Sequence, residues 1–348
     1  GVIALATGLQ GRFATSYFNY AYMAGLVTDE FASTTAALIS ISDAEQGAVP
    51  TGTGIADNVF NSIYRTVRTA DDLLNGANAL GAQFDAGTKA GLQVLAYTMK
   101  AEALGEAIQS YQKAPIKIFG ETAPLYVPRA QALPYVRALL DSAATILAAT
   151  PPSAFFNNSI LTPGVSLANV LNLFRARYAR MANDDAAALA TANLVARSGT
   201  AALSVLTFPS PNVNPYANVT GGTNGIAVRR QWRTGMLAQD LRYQYFVVPS
   251  TSLTGRVGAL LDPWNRYANP QAPFPVYFPD EALLIKAEAL ANQNQLAAAQ
   301  AAVSNDSGLL HVAAAIGTPA IGIFGPTSPW HWAPLNGLAA TVQTKTIV

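Results

Sequence analysis

The stretch 54–111 constrains the fold more than any other part of the chain. In "IADNVFNSIYRTVRTADDLL" the apolar residues Ile55, Val59, Ile63, Val67 and Leu74 recur every three to four positions, with Thr53 placed to cap the start. Gly76 and the run "NGANALGAQ" interrupt that pattern. A second stripe, Leu92, Leu95, Met99, Leu104 and Ile108, runs from about Thr88 to Tyr111 and stops at Pro115. Each helix carries an apolar face that only a neighbour can cover, so the two are expected to pair antiparallel.

The same unit recurs. "LPYVRALLDSAATILAAT" (133–150) ends at Pro151 and Pro152, "SLANVLNLFRARYARMAN" (166–183) is followed closely by "DAAALATANLVARSG" (185–199), and "PDEALLIKAEALANQNQLAAAQAAV" (279–303) reads as a pair broken near Asn292. Helix pairs of this length build tetratricopeptide-like arrays, although their irregular spacing here argues against a regular solenoid. The expected fold is mainly α: helix pairs with long loops and little strand. Residues 200–278 form the longest of those loops, rich in Pro, Asn, Gly, Ser and Thr, with Tyr216, Trp232, Tyr243, Tyr245, Phe246, Trp264 and Tyr267 among them. Within this region "YQYFVV" (243–248) reads as a short strand. Loops this long usually carry function.

Composition excludes several classes of function. Charged residues make up 12% of the chain and the net charge is +1, with no run of Lys and Arg interleaved with aromatics, so nucleic acid is not an expected partner. The absence of cysteine removes disulfides, thiolate metal sites and Cys nucleophiles. No metal cluster and no cofactor motif stands out. No window holds 18 uninterrupted apolar residues, so a soluble body without a membrane-spanning helix is expected. The adjacent acids Asp71–Asp72 and Asp184–Asp185 diverge on a helix and are read as solvated faces or caps rather than a catalytic pair.

Four segments, "NVFNSIYRTVRTADDLL", "VLAYTMKAEALGEAIQSYQKAPI", "GMLAQDLRYQYF" and "FPDEALLIKAEALANQNQLAAAQAAV", resemble by their order and spacing over residues 1–303 the RagB/SusD family of outer-membrane nutrient-uptake lipoproteins. The resemblance implies a helical, non-enzymatic body at the cell surface. That body captures glycans or other nutrients for a TonB-dependent (SusC-like) transporter. It also implies recognition of sugars by aromatic platforms beside polar side chains, since a pyranose has an apolar face and a rim of hydroxyls. Binding positions vary within the family, so none carries over by motif. Composition instead singles out Trp232, Trp264 and Tyr267, with Asn265, Arg266 and Asn269 as rim partners. The family's lipid-bearing Cys is not visible in this chain, which opens "GVIALATG".

The tail differs. "NDSGLLHVAAAIGTPAIGIFGPTSPWHWAPLN" (305–336) resembles the heptosyltransferase family of glycosyltransferases, at Asp306, Ser307, Gly308, His311, Gly325, Pro326 and Thr327. In that family such a run opens a helix in the nucleotide-binding domain, and free N–H groups at a helix start favour a phosphate. "PAIGIFG" then reads as a buried parallel strand. The strand–helix units that should precede "NDSG" are replaced by helix from the other resemblance. Residues 304–348 are therefore read as a fragment too short to be active, of uncertain structure, joined to the body without a linker as in a chimeric or misassigned chain.

Three readings follow: a surface glycan-binding protein, a sugar-nucleotide-dependent glycosyltransferase of lipopolysaccharide core, and a helical scaffold. The strand content of residues 1–200 separates the first two. The transferase requires five or more parallel strands there, and the binding protein requires helix pairs.

Overall fold

The structure is a computed structural model, and it describes residues 1–49, 54–196, 204–220, 225–234, 241–295, 320–324 and 339–343. The chain opens with a long helix, α1 (Val2–Val27), followed by β1 (Phe31–Ser33), α2 (Ile39–Glu45), α3 (Ile55–Asn78) and α4 (Ala86–Ser110). A short hairpin of β2 (Lys113–Pro115) and β3 (Tyr126–Pro128) leads into α5 (Arg129–Ala149), α6 (Leu167–Met181) and α7 (Asp185–Ala192). Beyond lie β4 (Val205–Leu206), β5 (Ile226–Arg229), α8 (Gln231–Thr234), α9 (Leu241–Phe246), β6 (Leu261–Asp262), β7 (Phe274–Pro275) and α10 (Pro279–Asn292). Two further strands, β8 (Ala320–Phe324) and β9 (Ala339–Gln343), pair in parallel.

The paired stripes meet as their periodicity dictates. Helix α3 packs between α1 and α4, α4 packs on α5, and α6 packs on α5, α7 and α10. Val59, Ile63, Val67, Leu92, Leu95, Leu104 and Ile108 are all buried in one core. Helix α3 runs through Gly76 rather than stopping there, because α1 covers it: a Cβ at Gly76 would lie 3.3 Å from Val2 Cγ2. Thr53 lies outside the described residues. The second helix is capped by Asp85, whose carboxylate accepts the Thr88 N–H at 2.7 Å.

Among the described residues of 1–200 the strands are three residues long and pair only in antiparallel fashion, so this region does not hold the parallel sheet of the transferase reading. The expected strand at 243–248 is instead helix α9 followed by a single bridge, Val247 to Trp264. A helical turn sends Tyr243 inward to Asp262 and leaves Tyr245 outside, which strand alternation would place on one face. The parallel strand expected within "PAIGIFG" is present as β8. Helix α5 is long and apolar enough to cross a membrane by length and composition. It nevertheless buries Leu133, Val136, Leu140 and Ala143 in the core and pairs Arg137 with Asp184 and Asp141 with Arg175.

Asp71 and Asp72 diverge as expected, but Asp71 is not solvated. It is buried and paired with Lys100 at 2.6 Å, while Asp72 pairs on the surface with Arg68. Asp184 caps α7, and Asp185 pairs with Arg180.

A buried ionic seam runs through the helical core. Arg177 on α6 grips Glu281 on α10 with two nitrogens, at 2.6 and 2.8 Å, and reaches Glu102 on α4 with a third. The Tyr178 hydroxyl donates to the other Glu102 oxygen at 2.8 Å. One turn along α4, Glu106 is 1% exposed and neither of its oxygens has a well-formed hydrogen bond. Burial, reinforced by the neighbouring Glu102, pushes its carboxyl well above the usual range, and the Ser16 hydroxyl and Arg177 only partly oppose this.

Between its ordinary titration range and its raised native value, Glu106 binds more proton folded than unfolded, so stability falls as pH rises through that window. Glu106→Gln is expected to flatten this slope and raise the melting temperature at pH 7.5 by roughly 2 °C or more, the shift that about 1 kcal/mol gives in a domain of this size. A substituted protein that melts below the parent at pH 7.5 would contradict the assignment. In α4, a Cβ at Gly105 would fall onto the Tyr178 hydroxyl, which Glu102 holds in place. Gly105→Ala is expected to cost about 2–3 kcal/mol in urea unfolding. Gly11→Ala, at an exposed helical position with nothing within 4 Å of the new carbon, is expected to stabilise by about 0.5–1 kcal/mol.

Candidate functional site: an aromatic shelf on the loop lobe

The second half of α1 leaves the helical core and enters a separate lobe. Phe18, Tyr22 and Leu26 pack there with Ile41, Val219 and Ile226, and a three-stranded antiparallel sheet, β1–β5–β6, covers them. Two carboxylates with fully buried side chains fasten this lobe. Glu45 accepts the Ser33 N–H at 2.9 Å, the Ser33 hydroxyl at 2.6 Å and Arg229 at 2.8 Å. Asp262 accepts the Tyr243 hydroxyl at 2.8 Å and the Ser250 N–H at 2.7 Å, and pairs with Arg233 at 2.8 Å. Burial and the Asp262 carboxylate hold the Tyr243 hydroxyl protonated, as a permanent donor. Segments with little regular structure are thus pinned at defined positions, which a binding surface made of loops requires.

Between this lobe and the helical core, aromatic rings form a continuous pile that touches both. Phe18 meets Tyr216 edge-on at 4.7 Å, and Tyr216 stacks on Tyr267 at 4.8 Å. Tyr267 meets Phe246 at 5.9 Å, and Phe246 carries Tyr245 edge-on at 4.9 Å. Tyr245, the outermost ring, is 49% exposed. The Arg266 guanidinium lies 4.5 Å over its face.

The six residues singled out by composition take different places. Tyr267 is buried within the pile, and burial raises its hydroxyl pKa. Trp264 is half-buried, donates from Nε1 to the Ile226 carbonyl at 3.0 Å and meets Phe31 edge-on. Trp232 is at the surface, with Nε1 donating to the Asp29 carbonyl at 3.2 Å. Exposed Asn265 donates to the Gln244 carbonyl, Arg266 stacks on Tyr245, and exposed Asn269 accepts the Gln271 N–H to close its own turn. Asn265 and Arg266 are therefore brought together beside Tyr245, while Trp264 and Tyr267 lie beneath them as support. Tyr245 does not stand out in the sequence because "YQYF" reads as an alternating strand; only the helical turn separates its outward ring from the inward Tyr243 and Phe246. Asp306, Ser307, Gly308, His311, Gly325, Pro326 and Thr327 lie outside the described residues. The resulting arrangement is a rigid, half-exposed ring with a cation stacked over one face and an amide close by. That geometry suits a ligand with an apolar face and polar rim.

Comparison with known proteins divides the chain in two. The model of glycosyltransferase family 9 (heptosyltransferase) matches residues 286–347. Lipooligosaccharide heptosyltransferase 2 of Haemophilus influenzae is 49% identical over 43 residues, and lipopolysaccharide heptosyltransferase 2 of Escherichia coli is 45% identical over 51. These matches cover 12% and 15% of this chain and equal shares of the relatives, so the chain spans only about an eighth of the curated relatives it matches. Solved structures match far more of it. A SusD/RagB family protein from Bacteroides thetaiotaomicron superposes with a TM-score of 0.68 at 14% identity, covering 100% of this chain and 77% of the other. A SusD superfamily protein from Bacteroides fragilis gives 0.64 at 13% identity, over 86% and 77%. Surface glycan-binding protein A from Bacteroides uniformis gives 0.60 at 11% identity, over 88% and 84%. The chain has the mainly helical fold of SusD/RagB proteins, with a C-terminal segment similar in sequence to heptosyltransferases.

Proposed function

We propose that this chain is a non-catalytic binding protein for glycans or related nutrients, displayed at the outer-membrane surface and delivering its ligand to a TonB-dependent, SusC-like transporter. The observation that carries this reading is a SusD/RagB fold whose loop lobe ends in an exposed ring, Tyr245, flanked by Arg266 and Asn265. The likeness in fold to surface glycan-binding protein A from Bacteroides uniformis supports the ligand class. Residues 1–303 form the binding body in this reading, and residues 304–348 are a heptosyltransferase-like segment that takes no part in catalysis. The second reading, donor-sugar binding by the tail, is favoured by the family match over residues 286–347.

Calorimetry on the full chain separates the two. It would be titrated with a panel of neutral and acidic oligosaccharides and, in parallel, with nucleoside-diphosphate sugars. An oligosaccharide is expected to bind, and Tyr245→Ala and Arg266→Met are each expected to weaken it about tenfold. That factor corresponds to about 1.4 kcal/mol and is within the range of one stacking or cation–π contact. Melting temperatures should be little changed, since both side chains lie at the outer edge of the pile. Binding of a nucleoside-diphosphate sugar with no oligosaccharide binding would move the function to the tail.

A further inference from the structure

A second aromatic surface lies away from the loop lobe, on the outward face of α3. Phe60, Tyr64 and Arg68 follow one another at four-residue spacing and so share one face of that helix. The segment 111–126 is laid along this face. Tyr111 meets Phe60 edge-on at 5.5 Å and donates its hydroxyl to the Ala56 carbonyl at 2.6 Å. Tyr64 donates to the Pro115 carbonyl at 3.0 Å, and Pro115 is the register partner of Tyr126 in the β2–β3 hairpin. Tyr126 stacks on Phe60 with the planes 5° apart at 6.4 Å, and Phe119 sits 4.7 Å beneath the Arg68 guanidinium.

These contacts fix the rings without burying them. Tyr126 remains 52% exposed, Phe119 46% and the intervening Leu125 76%. Large apolar side chains held rigid and uncovered mark a place where something docks. A stable protein–protein interface needs about 20–30 residues a side, far more than this patch supplies. Its edge is also polar: Arg68 and Asp72 form an exposed ion pair at 3.2 Å, and Lys113 and Lys117 are exposed nearby. Flat rings with donors and acceptors at the margin match the apolar face and hydroxyl rim of a sugar. The two contact points on α3, Phe60 and Arg68, are eight residues apart, or about 12 Å of helix, which is longer than a single sugar ring.

We infer that the Tyr126–Phe119 surface is a second glycan-contact site, on which several units of a long polysaccharide stack while Arg68 and Asp72 take their hydroxyls. This rests on the glycan reading proposed above. Retention of a long chain would then depend on this surface as well as on the shelf at Tyr245.

Native affinity electrophoresis of the full chain through gels containing amylopectin, xyloglucan or pectin tests the inference. The parent is expected to be retarded by one of these polymers. Phe119→Ala combined with Tyr126→Ala should weaken that retention about tenfold, while calorimetric affinity for a short oligosaccharide of the same glycan stays unchanged. Phe119→Ala alone leaves the hairpin's ring contact with Phe60 in place, so its partial loss of retention keeps the test valid if the double variant folds poorly. Equal retardation of parent and both variants would overturn the second site and leave the proposed function standing. A parent retarded by none of the polymers, with no oligosaccharide binding in calorimetry, would overturn both.

Discussion

The grip of Arg177 holds the helical body in register. Its guanidinium joins α6 to α4 through Glu102 and to α10 through Glu281, and the adjacent Tyr178 hydroxyl satisfies the remaining Glu102 oxygen. Removing charges from water is expensive, and the arrangement is tolerable because nearly every polar atom in it has a partner. Deleting one member of such a buried pair generally costs about 3–5 kcal/mol, since it strands the others. The same seam dictates neighbouring residue choices. Position 105 must be glycine because Tyr178 occupies the space, and Glu106 sits where the seam supplies no further cation, so a proton is its cheapest counter-charge.

What the body positions is the loop lobe, and α1 is the connection. Ala6, Leu9 and Phe13 lie in the helical core, while Phe18, Tyr22 and Leu26 on the same helix lie in the lobe. A rigid rod shared by two cores fixes the lobe against the body without a large sheet. The lobe then needs only local fasteners, which Glu45 and Asp262 provide by collecting backbone and side-chain donors from segments far apart in sequence. The outward course of rings ending at Tyr245 is stiff for the same reason: each ring rests on another, down to Phe18 on α1. A stiff ring loses little entropy when a ligand stacks on it.

This division also explains what was legible in the sequence. The α3 and α4 stripes read clearly, because helix period and a single buried face coincide there. Helix α1 did not, because it is apolar nearly all round and carries Gly8 and Gly11, so neither a stripe nor a propensity marks it; its burial in two cores produces that composition. The sequence pattern breaks at Gly76, two residues before α3 ends, because it does not reveal that Val2 packs over that glycine. In the lobe, aromatic and polar composition drew attention to residues 200–278, where Asn265 bonds the Gln244 carbonyl and Arg266 stacks on Tyr245. Composition could not rank the rings, since exposure depends on long-range hydrogen bonds such as Trp264 to Ile226 and Tyr243 to Asp262.

The junction between the two resemblances can be argued from charge. The heptosyltransferase match begins at residue 286, inside α10, yet that helix is committed to the body on both sides of this point. Before it, Glu281 answers Arg177. After it, Glu288 answers Arg180 at 2.9 Å, Ala289 is fully buried in the helical core, and Asn292 reaches Asp185. Arg177 and Arg180 are three residues apart on α6, so they lie on one face. Their acidic partners on α10, Glu281 and Glu288, are two turns apart, which also places them on one face. Such a matched pair of faces is a property of the helix as a whole. Residues 286–292 therefore do their packing as body, whatever ancestry their letters share with the tail.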